Sequence, residues 1–262
     1  MTRMSDTRLL LVDGSNVVMR CALGGDVPPA QAVPTATAMI ERATREAEAT
    51  HLVIALDSPG TPCWRKQIYA DYKANRTRDT SPWILRAHAV WSKAGWWVED
   101  VAGYEADDII GTIAHRTLTR MPGRGSTATV LVLSGDSDVL PLTAAGARVM
   151  KPVSGGQFDT WTADRVQARY GLPAAKLTDF KGLAGESGDN VPGVRGIGSV
   201  RAQRLLAQHG DLEGVIAAGQ RQHCKHSIQV AASANLARLS RYLVTLATDA
   251  PVTPIYPADC SL

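Results

Sequence analysis

With 262 residues and 45% hydrophobic content, the chain can bury a full core, as one large domain or as a domain plus a smaller module. No segment approaches the roughly 18 to 20 apolar residues of a membrane span, and Asp13 and Asn16 interrupt "TRLLLVDGSNVV" short of signal-peptide length, so no membrane association and a cytoplasmic location are expected. The net charge of +3 conceals an uneven distribution: residues 61–94 hold Arg65, Lys66, Lys73, Arg76, Arg78, Arg86 and Lys93 against Asp71 and Asp79, a local +5 that leaves −2 elsewhere.

In chain order, apolar β-branched runs alternate with helical patterns. "LLLVDG" (9–14) reads as a first strand, a helix follows at 34–48, and "HLVIALD" (51–57) reads as a second strand. A helix at 81–94, a strand "WWVEDV" (96–101), a helix at 106–120, and strands "TVLVLSGD" (129–136) and "RVMKP" (148–152) continue the alternation. This pattern predicts an α/β fold with a mostly parallel sheet covered by helices. After Trp161 the strand-like runs stop and short helices separated by Gly and Pro follow. The expected division is a core over 1–160 and a helical region over 161–262. Cys21, Cys63, Cys224 and Cys260 are scattered without a C-x-x-C pair, which fits reduced thiols, and "HCKH" (223–226) lacks a fourth ligand at zinc spacing.

The acids have a pattern of their own. Asp13, Asp57 and Asp136 end three strands, Asp138 follows two residues later, and "GYEADDII" crowds Glu105, Asp107 and Asp108 ahead of a helix. Acids in a first helical turn are favoured by the helix dipole, which accounts for one or two of these. Acids at the carboxyl ends of three strands should instead converge on one rim, where open parallel sheets bind ligands. Two unit charges 4 Å apart repel by roughly 4 kcal/mol at an effective dielectric near 20, so the cluster calls for a cation. Carboxylate ligands without His or Cys select a hard ion, Mg²⁺ or Mn²⁺.

In "WRKQIYADYKANRTR", cations interleave with rings: Arg65, Tyr69, Tyr72, Lys73 and Arg76. On a helix, Tyr69, Tyr72, Lys73 and Arg76 would share one face, suited to stacking on bases and holding phosphates; a solvated helix with partly buried tyrosines is the plainer alternative. Further on, Pro192 to Gly198 forms a Gly-rich string that opens a helix at Ser199, a helix-hairpin-helix pattern over about 178–210 for sequence-independent binding of a duplex backbone. Its expected nucleic-acid contacts are Gly193, Arg195, Gly196, Gly198, Ser199 and Arg201.

These strings, together with "SGDSDVLPL" and "GLAGESGDNVPGVRGIG", resemble the 5′ nucleases, the family of flap endonucleases and the 5′-3′ exonuclease domain of bacterial DNA polymerase I. The resemblance runs in order over residues 9–210. It implies a helical arch at about 61–94, a helix-3-turn-helix module, two or more divalent ions and a K⁺ ion held by carbonyls near Val191, Val194 and Ile197. By position it assigns Asp13, Asp57, Glu105, Asp107 and Asp108 to a first metal and Asp136, Asp138 and Asp189 to a second, with Asp136 counted among the catalytic residues. Lys73 and Arg76 would contact the scissile phosphate. Glu186 stands where the family usually has Asp, which predicts a weaker second metal site. The implied activity is metal-dependent exonuclease and flap-endonuclease cleavage of DNA by a monomer, in replication or repair beside a polymerase or ligase. A PIN-class ribonuclease and a non-catalytic DNA-junction binder are the alternative readings.

Overall fold

The computed structural model describes residues 7–22, 27–119, 128–222, 224–253 and 260–262; His223 of the "HCKH" string lies outside them. The chain divides into two compact units, one of residues 1–63, 78–162 and 246–262, the other of residues 64–77 and 163–245. Neither unit is continuous in sequence: 64–77 leave the first for the second, and 246–262 return to the first.

The first unit is a six-stranded sheet in the order β3-β2-β1-β4-β5-β6. β1 (Arg8–Asp13), β2 (His51–Leu56), β3 (Trp97–Asp100), β4 (Thr129–Leu133) and β5 (Arg148–Pro152) pair in parallel, as expected. β1, β2 and β4 are continuous apolar runs because both of their faces are covered. β6 (Phe158–Trp161) pairs antiparallel with β5 and was not anticipated: four residues that include Asp159 carry no apolar run.

Helices α1 (Gly14–Ala22), α2 (Pro29–Glu46), α4 (Ser81–Lys93) and α5 (Ala106–Thr119) belong to this unit. The core joins Leu10, Val12, Ile40, Ile54, Leu56, Trp91 and Leu133, and the one polar atom of Trp91 is satisfied where Nε1 donates to Thr37 Oγ1 at 2.8 Å. α1 starts directly on β1 because position 14 has no side chain: a Cβ there would sit 2.7 Å from Ile54 and 2.9 Å from Leu56.

The returning tail is tied to α5. Thr112 Oγ1 donates to Ala247 O at 3.2 Å and accepts the Ala250 N–H at 3.1 Å, and Arg116 donates to Ala250 O at 3.0 Å. At the sheet's amino end, the Thr50 N–H donates to Arg8 O at 2.9 Å, and Thr50 O accepts the Leu262 N–H at 3.0 Å.

The second unit packs α3 (Trp64–Ile68), α6 (Ala163–Tyr170), α7 (Leu177–Ala184), α8 (Ser199–His209), α9 (Leu212–Gln220), α10 (Lys225–Ala232) and α11 (Ala234–Val244). Its core is built on Leu183, Val194, Ile197, Leu205, Leu206, Val215 and Ile216. Thus Val194 and Ile197 anchor the loop between α7 and α8, as the helix-hairpin-helix pattern requires.

Candidate functional site

In the first unit the acids stand where the sheet topology puts a ligand. Asp13 is the last residue of β1, Asp57 follows β2 directly, and Asp136 and Asp138 lie in the turn after β4. The chain passes from β1 to β2 on one side while β4 lies on the other, so the carboxyl ends of β1 and β4 flank a switch point.

Asp13 is 5% exposed; Oδ1 accepts the Asn16 N–H at 2.9 Å and Oδ2 accepts the Ser134 hydroxyl at 2.8 Å. Burial pushes its pKa up to about 7; the charges of Asp57 and Asp136 add to the rise, while the bonds from Asn16 and Ser134 oppose it. Three small polar residues frame the rim. Ser15 Oγ accepts the Asp57 N–H at 2.8 Å, Ser134 Oγ accepts the Asp136 N–H at 3.1 Å, and Asn16 Oδ1 accepts the Gly135 N–H at 2.9 Å. The Asp138 N–H donates to Asp136 Oδ1 at 3.1 Å. Ser15, Asn16 and Ser134 were not singled out from the sequence, where such residues read as ordinary turn formers.

Asp57 Oδ1 accepts the Ala106 N–H at 2.9 Å, which ties the acid after β2 to the amino end of α5. Glu105, Asp107 and Asp108 each bring an oxygen within 4.8 Å of the others. Asp108 is fully buried: Oδ2 accepts the Glu105 N–H at 3.3 Å and Oδ1 accepts the Ala247 N–H at 2.8 Å. It therefore fastens the returning tail. Asp107 and Asp108 also occupy the first turn of α5, where the helix dipole favours negative charge. The donors fit a hard divalent ion: all are carboxylates, and the burial and neighbouring charges that raise the Asp13 pKa are both offset by a dication.

In the second unit the cation segment departs from the sequence expectation. α3 ends at Ile68, residues 70–75 form turns, and Lys73 has φ +52°, so Tyr69, Tyr72, Lys73 and Arg76 do not share a helical face. Arg65 and Tyr72 are 1% and 2% exposed, which removes both from the DNA-facing set. Arg65 Nε donates to Leu243 O at 2.7 Å and Nη2 to Thr245 O at 3.1 Å, at the carboxyl end of α11, with the guanidinium 4.4 Å from the Trp64 ring centre. A cation there satisfies terminal carbonyls and complements the dipole. Tyr69 is half-buried and Arg76 exposed. Lys73 Nζ lies 3.5 Å from Asp189 Oδ2, Arg76 Nη2 pairs with Asp189 Oδ1, and Tyr72 Oη is 3.3 Å from Asp189 Oδ2. The buried Asp189 thus holds both cations. Glu186 Oε2 accepts from Lys181 Nζ at 2.7 Å.

Arg195, Gly196 and Gly198 of the loop between α7 and α8, and Ser199 and Arg201 at the start of α8, are exposed, and Arg201 Nη1 donates to Gly196 O at 2.6 Å. Gly193 is buried and its N–H donates to Ser240 Oγ at 3.0 Å, so it supports the loop rather than meeting a phosphate. At φ +60°, a Cβ on Gly193 would lie 2.7 Å from the Ala184 carbonyl carbon and from Gly185 Cα, which explains the glycine. Val191 O accepts the Glu186 N–H and Val194 O the Ile197 N–H, each at 2.9 Å, leaving a second lone pair on each. The side chains of Val191, Val194 and Ile197 are buried.

Comparison with known proteins agrees over nearly the whole chain. Residues 8–171 match the family model for the 5′-3′ exonuclease N-terminal, resolvase-like domain, and residues 172–261 match that for the 5′-3′ exonuclease C-terminal SAM fold. A 5′-3′ exonuclease of Streptomyces coelicolor is 32% identical over 233 residues, 80% of this chain and 74% of that protein. DNA polymerase I of Bacillus caldotenax is 32% identical over 94% of this chain, which spans only 28% of the polymerase. Among solved structures, the bacteriophage T5 5′-exonuclease with bound divalent metal ions (zinc) superposes with a TM-score of 0.73 at 19% identity, covering 90% of this chain and 89% of that one. The T5 D15 flap endonuclease in a complex with DNA and metal ions gives a TM-score of 0.70 at 20% identity, over 90% and 88% of the two chains. These two likenesses establish the fold. With both halves of the sequence matched, from residue 8 to residue 261, the chain belongs to the 5′-3′ exonuclease family.

Proposed function

We infer that this protein is a structure-specific 5′ nuclease that hydrolyses phosphodiester bonds near the 5′ ends of flap, nicked or gapped duplex DNA, as exonuclease and flap endonuclease. The observation that carries the reading is the carboxylate rim at the ends of β1, β2 and β4, with Glu105, Asp107 and Asp108 clustered beside it in sequence and in space. Mg²⁺ or Mn²⁺ would be held by Asp13, Asp57, Glu105, Asp107, Asp108, Asp136 and Asp138. Such ions, when bound, make water acidic enough to attack at neutral pH and stabilise the attacking and leaving oxygens of an in-line displacement.

The chain's own groups do the rest. Ser134 and Asn16 orient Asp13, Ser15 and Ala106 orient Asp57, and α5 presents Asp107. Lys73 and Arg76, assigned by the sequence resemblance, supply positive charge to the substrate phosphate, with Asp189 as their resting partner. Exposed Arg195 and Arg201 and the amino end of α8 suit the backbone of a duplex, so selectivity follows DNA shape rather than base sequence. The carbonyls of Val191, Val194 and Ile197 are the proposed K⁺ ligands. We propose a monomer working in the cytoplasm beside a polymerase or ligase; four scattered cysteines without a C-x-x-C pair suit a reducing compartment.

The test is a labelled panel of 5′ flaps, nicks, gapped duplexes, single strands and matched RNA, with Mg²⁺ or chelator, for wild type and Asp136→Asn. Metal-dependent cleavage of the DNA flaps by wild type and a loss of at least about 100-fold in Asp136→Asn, with DNA affinity retained, are expected. Cleavage of RNA alone would favour the ribonuclease reading, and binding without turnover the junction binder.

A further inference from the structure

Residues 71–76 carry Lys73 and Arg76 on a backbone that is neither helix nor strand; its own hydrogen bonds are short turns, the Ala74 N–H to Asp71 O and the Arg76 N–H to Lys73 O, each at 3.0 Å. Two side-chain amides connect this segment to the turn at 187–190. Asn75 Nδ2 donates to Ser187 O at 3.0 Å and lies 3.4 Å from Gly188 O; in the opposite direction, Asn190 Nδ2 donates to Asp71 O at 2.8 Å. Between them the Lys73 N–H donates to Asp189 O at 2.9 Å. Lys73 and Asn190 both stand in the left-handed region, at φ +52° and +57°. Such backbone costs about 1 to 3 kcal/mol per residue and persists only where its surroundings over-determine it. Both asparagines are exposed, so what they give the fold is these hydrogen bonds rather than packing.

We propose that Asn75 and Asn190 are positioning residues, reciprocal amide pins that lock residues 71–76 in the conformation from which Lys73 and Arg76 reach the substrate phosphate. The proposal rests on the reading of Lys73 and Arg76 given above. A lysine head can be pre-organised only if its Cα–Cβ direction is fixed, because its four-carbon stem is otherwise free to turn. Relaxation of Lys73 to negative φ would redirect that vector, and the pins oppose it from both ends. The Asp189 carboxylate holds the charged heads, while the asparagines, with the Asp189 main-chain carbonyl between them, hold the backbone that carries the two cations.

Asn190→Gly keeps the left-handed backbone accessible and deletes only the amide, Asn190→Asp keeps the shape and deletes the donor, and Asn75→Ala deletes the other pin. In Mg²⁺-dependent flap cleavage, each should lower kcat about tenfold, and Asn75→Ala/Asn190→Gly about 100-fold, while KM stays within about twofold and Tm within about 2 °C. In a Lys73→Met/Arg76→Met background, the pin variants should cost no further rate, because the groups they position are gone. Unchanged kcat in the double pin variant, with the Lys73→Met/Arg76→Met protein impaired, would overturn the pins alone. A full pin effect persisting without the two cations would show a general structural role and overturn the proposed route. Wild-type kcat in Lys73→Met/Arg76→Met would overturn both the pins and the reading on which they rest.

Discussion

Burial makes opposite uses of two charged side chains. Asp13 must keep a carboxylate beside Asp57 and Asp136, and its folded-state pKa of about 7 lies above the ordinary 3.8. Between those values the metal-free folded state binds a proton that the unfolded chain releases, so this group's contribution is fully present below about pH 4 and is lost as pH rises through 7. In chelator, the Tm of Asp13→Asn relative to wild type should therefore climb from about pH 4 to 7, and Mg²⁺ at higher pH should raise the wild-type Tm selectively; a pH-independent difference would remove Asp13 as the coupled group. Arg65 is the converse case, a buried cation with carbonyl partners at Leu243 and Thr245. Arg65→Ala should lose roughly 2 to 4 kcal/mol in urea unfolding, because it leaves a cavity and orphaned carbonyls, while the salt slope of DNA binding stays as in wild type. A slope reduced by about one unit would return Arg65 to the phosphate contacts. The acids of the rim were legible in the sequence because their types and strand-end positions are local facts. The fate of Arg65 was not, since its carbonyl partners stand 178 and 180 positions away.

Among the elements, those whose apolar content has one clear period were readable: β1, β2 and β4 as continuous runs, α4 and α5 to within a residue of their observed ends. α1 was missed because it opens on Gly-Ser-Asn, residues that ordinarily mark a turn, and here the Asn16 N–H is received by Asp13. The stripe over 69–76 was misread because i, i+3, i+4 spacing implies a shared face only if the helix continues. In the hairpin, glycine pattern and structure agree except in role: Gly193 packs backbone on backbone. Gly193→Ala combines a left-handed strain with that clash, so it should displace the loop and weaken duplex binding by at least about tenfold, while Mn²⁺ binding by calorimetry, which we propose for the other unit's acids, should be retained. Duplex affinity equal to wild type would show that the loop is not the clamp.

For the molecule as a whole, the discontinuity of both units matters more than any single boundary. Residues 246–262 supply the Ala247 N–H to Asp108 and backbone partners to Thr112 and Arg116, so a fragment ending at 162 leaves a fully buried carboxylate short of a donor. That fragment should melt broadly and at least about 5 °C below the same residues joined through a flexible linker to 246–262; equal, cooperative melting of the two would show the tail to be dispensable. A boundary near residue 160, drawn from the end of the strand-like runs, could not reveal this, because a returning tail has no signature of its own in composition. Thr50 bears on the same point: its carbonyl accepts the Leu262 N–H and its N–H donates to Arg8 O, so the start of β1 and the returning tail meet at one residue. Arg8 and Leu262 are thereby held a single residue apart in space though 254 positions apart in sequence. A covalent link between the segments at Arg8 and Leu262 would close the long loop between them and so shrink the unfolded ensemble.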